Sequence, residues 1–541
     1  MPQKVRTPVP GTGIQLRALV ACLLLVLTAS GLTACGSASG GGGQETSGSS
    51  GPPQRGGTLT IATPLEPITL DPNSGELDAG TQHVLGLVFD RLLEVEPGSS
   101  KLVPSLAESW KLDREANTAT FQLRKAEFSD GSPVTATDVK FSFERALDPN
   151  VDPNFSEALS GLIQSISTPD QQTVVLHFAG PTPAIFPYLT IATLSIVSQK
   201  AFDQLGEERF AELPLDAGSG PFKVVKWDKG QSVELVRNPH YWQEPEPYLD
   251  KIVTVYVPND NTRILDVKSG QVDVADEVPY SQLESIESTP DVKLLVTPID
   301  AIDTVFLKAI GPLKSVGVRQ ALNYATPKED IQDVVFGGNG DIANSIIPPM
   351  RYWDSSIKPY PFDVEKAKSL LAREGLPEGF GLQLLIQSGD ETSRQIASIL
   401  QSAWGEIGVD VSIQTLDAAS LGGRWVNPTA QWQAILFPPS AVSSDIPSED
   451  EFAINLSGKF FGEVFAFTDP KLESLITQIE GTWNEDTRRK LFSDFQAEEL
   501  ANPIGVPIVV ASSRTVLREN VEEFGYVSLN RWTLAKTWLR R

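Results

Sequence analysis

Strand-like and helix-like segments alternate along the chain from Gly57 onward, and this alternation limits the fold more than any other feature. The segment from Thr58 to Ala62 has the period-two pattern of a strand and ends before Pro64. The same character recurs at residues 173–178, 222–227, 232–236 and 251–257. Strands that alternate with helices pack as mixed α/β layers, and 541 residues are enough for several lobes.

Two amphipathic helices are the clearest of the intervening segments. One begins near Thr392 and ends at Gly408, where the strand-like residues 409–413 follow. Its apolar face recurs at helical spacing and consists of Ile396, Ile399, Leu400, Ala403, Trp404 and Ile407. The other helix begins near Asp363 and ends at Gly375. The sequence therefore predicts an α/β protein.

The N-terminal segment has the three parts of a secretory signal peptide. Lys4, Arg6 and Arg17 precede an unbroken apolar run from Ala18 to Leu27, and small residues follow. The apolar run is too short to remain as a membrane-spanning helix. We therefore expect residues 1–34 to be a signal peptide that directs the chain out of the cytoplasm.

Leu32-Thr33-Ala34-Cys35 resembles the bacterial lipobox, in which the cysteine receives a diacylglyceryl group. The alternative is an ordinary signal peptide with a cysteine at this position by chance. Gly, Ser and Pro dominate the chain up to about Gln54, so we expect residues 35–54 to form a lipidated flexible linker. On this interpretation Cys35 attaches the protein to the extracytoplasmic face of the cell membrane, at the cell surface or in the periplasm.

The composition argues against several kinds of chemistry. Cys22 and Cys35 are the only cysteines, so we expect neither a disulfide framework nor a thiolate site in the folded body. His83, His177 and His240 are far apart and no HExxH motif occurs, so we expect neither a metal nor another cofactor. A net charge of −25 argues against binding to nucleic acid.

Residues 121–145 predict a strand, a tight turn and a helix. Ser129-Asp130-Gly131 is typical of a turn, and Thr135 with Asp138 forms a capping box at the start of the helix. The residues expected on the buried face of that helix are Val139, Phe143 and Ala146. Taken singly, these residues are scaffold and carry no chemistry.

The whole string from Phe121 to Ser142 nevertheless resembles the signature of a known family. That family is the peptide and nickel class, family 5, of extracytoplasmic solute-binding proteins, the receptors of ABC importers. The matching elements are Phe-x-Leu-Arg, then Phe-Ser-Asp-Gly-x-Pro-Val-Thr-Ala-x-Asp-Val, then Phe-Ser. Further stretches similar to the family lie at residues 70–72, 218–222, 235–242, 318–325, 346–349, 365–371 and 405–409.

The resemblance implies a periplasmic-binding-protein-like fold of type II, with two lobes around a hinged ligand cleft and an extra domain. The implied parts are lobe I at residues 55–85, 198–275 and 495–541, extra domain II at residues 86–197, and lobe III at residues 276–494. A solute held between the lobes would close the hinge. The resemblance also implies a monomer that delivers its solute to a membrane permease and, through it, to ATPase subunits, without making or breaking a bond.

The same resemblance implies a place for the ligand. Peptide-binding members of the family hold the ammonium group of the peptide with an aspartate that follows a strand similar to residues 432–437. This chain departs from the pattern, since Pro438-Pro439 replaces the usual Gly-Trp and the aspartate position falls near Ala441 or Val442. Asp445 lies a few residues later and either binds the ammonium group or caps the next turn.

The residues that we expect to bind the ligand are Asn73, Glu76, Arg424, Trp425, Phe437, Ser440 and Asp445. Asn73 and Glu76 lie in the loop after the first strand, although an Asp-Pro-Asn turn also explains Asn73. Arg424 would meet a carboxylate, or is a solvated surface arginine. Tyr352 and Trp353 are either a pocket wall or part of the core.

Three other functions fit parts of the sequence. The displaced aspartate leaves open a non-peptide solute, such as a sugar, a siderophore or a metal complex. A surface-tethered serine hydrolase would use the S-x-x-K motif from Ser355 to Lys358, but the chain has no G-x-S-x-G motif, and the Lys-Thr-Gly partner motif is absent. A binding module that signals or adheres without transport cannot be separated from an importer subunit by sequence.

Overall fold

The computed structural model describes residues 51–541, with gaps at residues 75–77, 98, 100, 152–155, 157–158, 350, 426, 438–458 and 528–530. The strands are β1 (Thr58–Thr63), β2 (Leu93–Val95), β3 (Leu102–Pro104), β4 (Ala107–Asp113), β5 (Thr118–Leu123), β6 (Ser165–Asp170), β7 (Thr173–His177), β8 (Phe222–Asp228), β9 (Ser232–Arg237), β10 (Lys251–Tyr256), β11 (Val274–Ala275), β12 (Val292–Leu307), β13 (Phe380–Gln387), β14 (Val409–Leu416), β15 (Ala434–Leu436), β16 (Gly505–Arg518), β17 (Val521–Glu522), β18 (Tyr526–Val527), β19 (Arg531–Trp532) and β20 (Trp538–Leu539).

The helices are α1 (Ala79–Val88), α2 (Ala136–Ala146), α3 (Ile185–Tyr188), α4 (Gln199–Leu205), α5 (Glu207–Glu212), α6 (Asp260–Ser269), α7 (Leu283–Glu287), α8 (Val316–Tyr324), α9 (Lys328–Phe336), α10 (Val364–Arg373), α11 (Glu391–Gly405), α12 (Ala418–Trp425), α13 (Lys459–Phe465), α14 (Pro470–Glu480) and α15 (Glu485–Ala501). Many begin at a side chain that accepts a backbone N–H of the first turn, which satisfies a donor that the helix itself leaves unpaired. These capping residues include Asp78, Ser198, Asn259, Ser315, Asp363, Asp390, Asp469 and Asn484.

A ten-stranded sheet in the order β14-β13-β15-β12-β16-β11-β1-β10-β9-β8 organises the fold. Its two long central strands, β12 and β16, are antiparallel partners along most of their length. The end of β12 at Val305–Leu307 pairs with β15, and the end of β16 pairs with β11. We call β1 and β8–β11 the near half of the sheet and β13–β15 the far half. The two long strands pair with strands of both halves and so connect them.

The pairing of β12 with β16 is interrupted in its middle. The register shifts between Pro298 and Ile302 and again between Asp303 and Thr304. Such β-bulges bend a strand and re-aim its side chains. The irregular stretch lies between the part of the β12–β16 pair that is beside the near half and the part that is beside the far half.

A second, four-stranded antiparallel sheet in the order β4-β5-β7-β6 packs with α2 around a separate hydrophobic core. The buried members of this core, which include Phe121, Phe128 and Phe143, all lie between residues 92 and 196, and we call this part the small-sheet unit. The carboxylate of Asp138 accepts the backbone N–H of Thr135 at 3.0 Å at the start of α2. The predicted strand, turn and capped helix are therefore confirmed.

The α/β class is confirmed, and so are the strand and helix positions that the sequence predicts. The helix expected from Thr392 is α11, with Ile396, Leu400 and Trp404 buried, and Asp363 caps α10. The described residues from 51 to 541 form one compact unit, so the implied lobe borders stay predictions. The implied border between residues 494 and 495 lies inside α15.

The predictions for the signal peptide and for most of the linker lie outside the described residues, which begin at residue 51. Within the described ranges, none of the helices combines the length and the apolar character that a membrane crossing requires.

Candidate functional site

A cavity of about 310 Å³, which we call the cleft cavity, lies where strand ends from both halves of the sheet meet. β1 is parallel to β10 and β11, and β13 is parallel to β14 and β15. Residues within two positions of the ends of β1, β11 and β13 line the cavity, namely Pro64, Glu277 and Ser388. The crevice outside the carboxyl ends of parallel strands is where open α/β sheets bind ligands. The cleft cavity therefore has the position of a binding site.

Arg514 on β16 is held in place by several groups at the near side of the cavity. Its Nη2 donates to Glu277 Oε2 at 2.8 Å, and its Nε donates to the carbonyl of Val278 at 2.7 Å. Its guanidinium also lies over the ring of Tyr280, 4.2 Å from the centroid. Glu277 has a φ of 51°, in the left-handed region that non-glycine residues rarely adopt. The arginine is thus oriented, and its charge is already matched by a carboxylate.

Asp303 differs from these residues because one of its carboxyl oxygens has no hydrogen-bond donor among the described residues. It lies in the irregular stretch of β12, lines the cavity and is 1% exposed. Its Oδ1 atom accepts no hydrogen bond within the described part of the chain. Burial raises the pKa of Asp303 well above its ordinary value, and the negative charge of Asp390 raises it further, although Arg514 opposes both effects.

Asp390 lies on the far side of the cavity and also caps a helix. It caps α11, since its Oδ1 accepts the backbone N–H of Thr392 at 3.1 Å and its Oδ2 accepts the hydroxyl of Ser393. Three carboxylates, those of Glu277, Asp303 and Asp390, therefore line the cavity together with one guanidinium. The surplus of negative charge favours a ligand that carries a positive group.

A second cavity of about 500 Å³ lies between the small-sheet unit and residues that precede or belong to α15. Trp110 and Phe186 line it from the small-sheet unit, and Tyr352, Trp483 and Arg488 line it from the opposite side. The ring of Trp483 lies 6.4 Å from that of Phe186 and 6.3 Å from that of Phe178. Tyr352, a candidate pocket residue from the sequence, is thus a wall of this cavity.

Asn73 is buried away from both cavities. Its side-chain amide donates to the carbonyl of Thr193 at 2.8 Å, and its side-chain oxygen accepts Arg145 Nη1 at 2.9 Å. Arg145 in turn binds Asp71. These contacts account for Asn73 without a ligand and agree with the alternative interpretation of an Asp-Pro-Asn turn, so its position gives the binding prediction no support.

Trp425 and Phe437 are brought together, but in an aromatic cluster of the far half. Trp425 meets Phe437 edge-on at 4.9 Å and Phe306 at 4.7 Å between ring centroids. Arg424 lies half-buried beside them on α12. None of the three is among the residues that line the cleft cavity. The other expected residues, Cys35, Glu76, Ser440 and Asp445, lie outside the described residues.

Sequence reasoning missed the residues that line the cleft cavity. One usable signal was present, because Asp303 interrupts the otherwise apolar end of β12, and a carboxylate in a buried strand is costly without a partner. Glu277, Asp390 and Arg514 carry no such local signal. Ser355 of the S-x-x-K motif lies exposed in a turn and Lys358 lies exposed in the irregular segment after it, so neither is on a helix, which does not favour a hydrolase.

Two sheet halves that share a pair of long strands and face each other across a cavity define a two-lobe periplasmic-binding fold. The chain belongs to the bacterial extracellular solute-binding proteins, family 5, whose profile matches residues 101–460. The resemblance stated from the signature of residues 121–142 is therefore confirmed.

Similar proteins differ in what they bind. Heme-binding protein A of Haemophilus influenzae is 29% identical over 438 residues, which are 76% of this chain and 79% of that protein. Glutathione-binding protein GsiB of Escherichia coli K12 is 28% identical over 352 residues, which are 65% of this chain and 68% of that protein. The structure of the binding protein AgaA with agropinic acid, from A. tumefaciens R10, matches with a TM-score of 0.76 at 27% identity and covers 90% of this chain and 99% of that one.

Proposed function

We propose that this protein captures a small peptide or peptide-like solute in the cleft cavity and delivers it to the permease of an ABC importer. The observation that carries the proposal is the position of the cavity, which is lined by residues from both halves of the sheet and from the two strands that join them. A solute in this place touches both halves. Its binding therefore favours the closed arrangement over the open one.

The chemistry of capture requires no reaction. Glu277 and Arg514 hold each other on the near side, while Ser388 and Asp390 approach from the far side. These groups bind, orient and exclude water, and the permease reads the closed form. ATPase subunits act through the permease, and the binding protein works as a monomer.

The solute class follows from the lining of the cavity. Carboxylates outnumber the one guanidinium, which suits a solute with an amine, as peptides have, better than a neutral sugar. Glutathione, which is itself a peptide, is bound by one of the similar proteins, whereas heme and agropinic acid are bound by others. A siderophore or a metal complex is the alternative solute class.

We also propose that residues 1–34 are removed and that a diacylglyceryl group on Cys35 holds the protein at the extracytoplasmic face of the membrane. The linker of residues 35–54 lets the folded body turn toward the permease. Replacement Cys35→Ser tests this part, because membrane fractions should lose the protein while Cys22→Ser leaves it there. Retention of the Cys35→Ser protein in membranes would contradict the lipid anchor.

Native mass spectrometry of the protein purified from its own cells tests the main proposal. We expect a bound peptide to co-purify and to be released on unfolding. A co-purifying sugar, siderophore or metal complex would contradict the peptide and support the alternative class of solute. Conversion of a solute by the purified protein would contradict a pure binding function.

A further inference from the structure

We propose that Asp303 binds the protonated amine of the solute and that Asp390 supplies a second negative charge beside it. This inference rests on the proposed function and names the group by which the cleft cavity selects its solute. It assigns the amine to the irregular stretch of β12 and not to Asp445, which lies outside the described residues.

The first argument is the unmatched state of the Asp303 carboxylate. The side chain is 1% exposed, and its Oδ1 lacks a hydrogen-bond donor among the described residues. Leaving a buried carboxylate oxygen without a partner is costly, and such groups in native structures have a reason. An ammonium group from the solute would supply both the donor and the opposite charge.

The second argument is that the nearby cation is already engaged. Arg514 binds Glu277 at 2.8 Å, the carbonyl of Val278 at 2.7 Å and the carbonyl of Ser512. It also stacks over Tyr280. Three of its five N–H donors are thus directed to other groups, and three carboxyl side chains line the cavity beside this one guanidinium.

The third argument concerns the kind of cation. The described residues contain no group of three His, Cys, Asp or Glu side chains that could hold a metal ion. A cavity of about 310 Å³ has room for a small organic solute. One buried carboxylate reinforced by a second negative charge therefore fits a primary amine better than a bare metal ion.

Two peptide libraries test the proposal. The probes are a random mixture of tri- and tetrapeptides with free N-termini and the same mixture after N-acetylation, each passed over the immobilised full-length protein and identified by mass spectrometry. We expect the wild-type protein to retain members of the free-amine library only. We expect Asp303→Asn to retain on the order of ten- to a hundredfold less of them, whereas the exposed control Asp341→Asn retains as much as wild type.

A calorimetric readout separates amine binding from a merely structural role. The groups that line the cavity around Asp303 are Glu277, Tyr280, Asp390 and Arg514. With the best retained peptide, titration in two buffers of different ionisation enthalpy should show proton release for wild type. The release should vanish in Asp303→Asn, whose thermal unfolding confirms that it is folded.

Equal retention of both libraries by wild type would overturn the inference, as would undiminished retention by Asp303→Asn. Retention of neither library would also overturn it. In that last case a co-purifying small molecule without an amine would show that solute capture itself still stands. The failure of the inference and that of the proposed function can thus be distinguished.

Discussion

The guanidinium of Arg145 donates to both carboxylate oxygens of Asp71, at 2.7 and 3.1 Å. Both side chains are buried, at 10% and 3% exposure. The pair joins α2 of the small-sheet unit to the loop that follows β1 of the near half. It is therefore a buried charged contact between the small-sheet unit and the near half of the sheet.

Replacement Arg145→Met should lower the free energy of unfolding by about 3 kcal/mol, because it leaves the buried Asp71 carboxylate without its cation. Urea unfolding followed by circular dichroism measures the loss. Lys140→Met on the same helix is the matched control, since the Lys140 side chain is 40% exposed and its pair with Glu144 at 3.7 Å contributes little. Equal losses for the two variants would contradict a structural role for the buried pair.

Asp303→Asn should stabilise the solute-free protein at high pH. The pKa of Asp303 is raised in the folded state, chiefly by burial, so its contribution is fully present at low pH and is lost as the pH rises through the folded pKa. The asparagine variant lacks this loss. Urea unfolding should give similar free energies at pH 4 and a gain of about 1 kcal/mol or more for the variant at pH 8. A variant that is less stable than wild type at pH 8 would refute the prediction.

Trp483→Ala should weaken solute binding although Trp483 is not among the residues that line the cleft cavity. Its indole packs near Phe178 and Phe186 of the small-sheet unit. We expect this contact to stabilise the solute-bound arrangement more than the solute-free one, so that its loss lowers the affinity. We expect the affinity for the co-purified solute, measured by calorimetry, to fall about tenfold. Phe362→Ala, at a side chain that is 45% exposed, is the control and should bind as wild type does.

Lys328→Met should destabilise the protein more at pH 8 than at pH 5. Burial lowers the pKa of Lys328 to about 8 and raises the pKa of its neighbour Glu499 to about 7, and the charge of each opposes the shift of the other. Without Lys328 the ionised Glu499 loses a cation, whereas the protonated form at pH 5 needs none. We expect a loss of about 3 kcal/mol at pH 8 and a smaller one at pH 5, both measured by urea unfolding. The exposed control Lys366→Met should change neither value, and a loss independent of pH would contradict the explanation.

Local pattern explains which parts of the structure could be predicted. The alternation at Thr58–Thr63 and the apolar face of α11 depend on neighbours in the chain, and so does the capping box of Thr135 and Asp138. These features were predicted because period and capping are short-range properties. The family signature lies in the same short segment, so membership could be predicted as well.

The cleft cavity could not be predicted because its residues come from distant parts of the chain. Glu277, Asp303, Asp390 and Arg514 meet only through the strand order of the ten-stranded sheet, in which β16 lies between β11 and β12. No local spacing encodes that order. Asn73 shows why local sequence is ambiguous, since a polar residue after the first strand suggests a ligand contact, whereas its side chain hydrogen-bonds Arg145 and the carbonyl of Thr193 within the fold.

The pairing of β12 with β16 determines how the two halves of the sheet can move relative to each other. Because β12 and β16 run through both halves of the sheet, a change in the angle between the halves requires these two strands to twist. The irregular stretch from Pro298 to Thr304 interrupts the regular pairing of the two strands, so we expect a change in the angle to be absorbed there. Asp303 lies in this stretch. The residues at which we expect the two halves to pivot therefore include the carboxylate that we propose to bind the solute, so solute binding would change the angle between the halves directly.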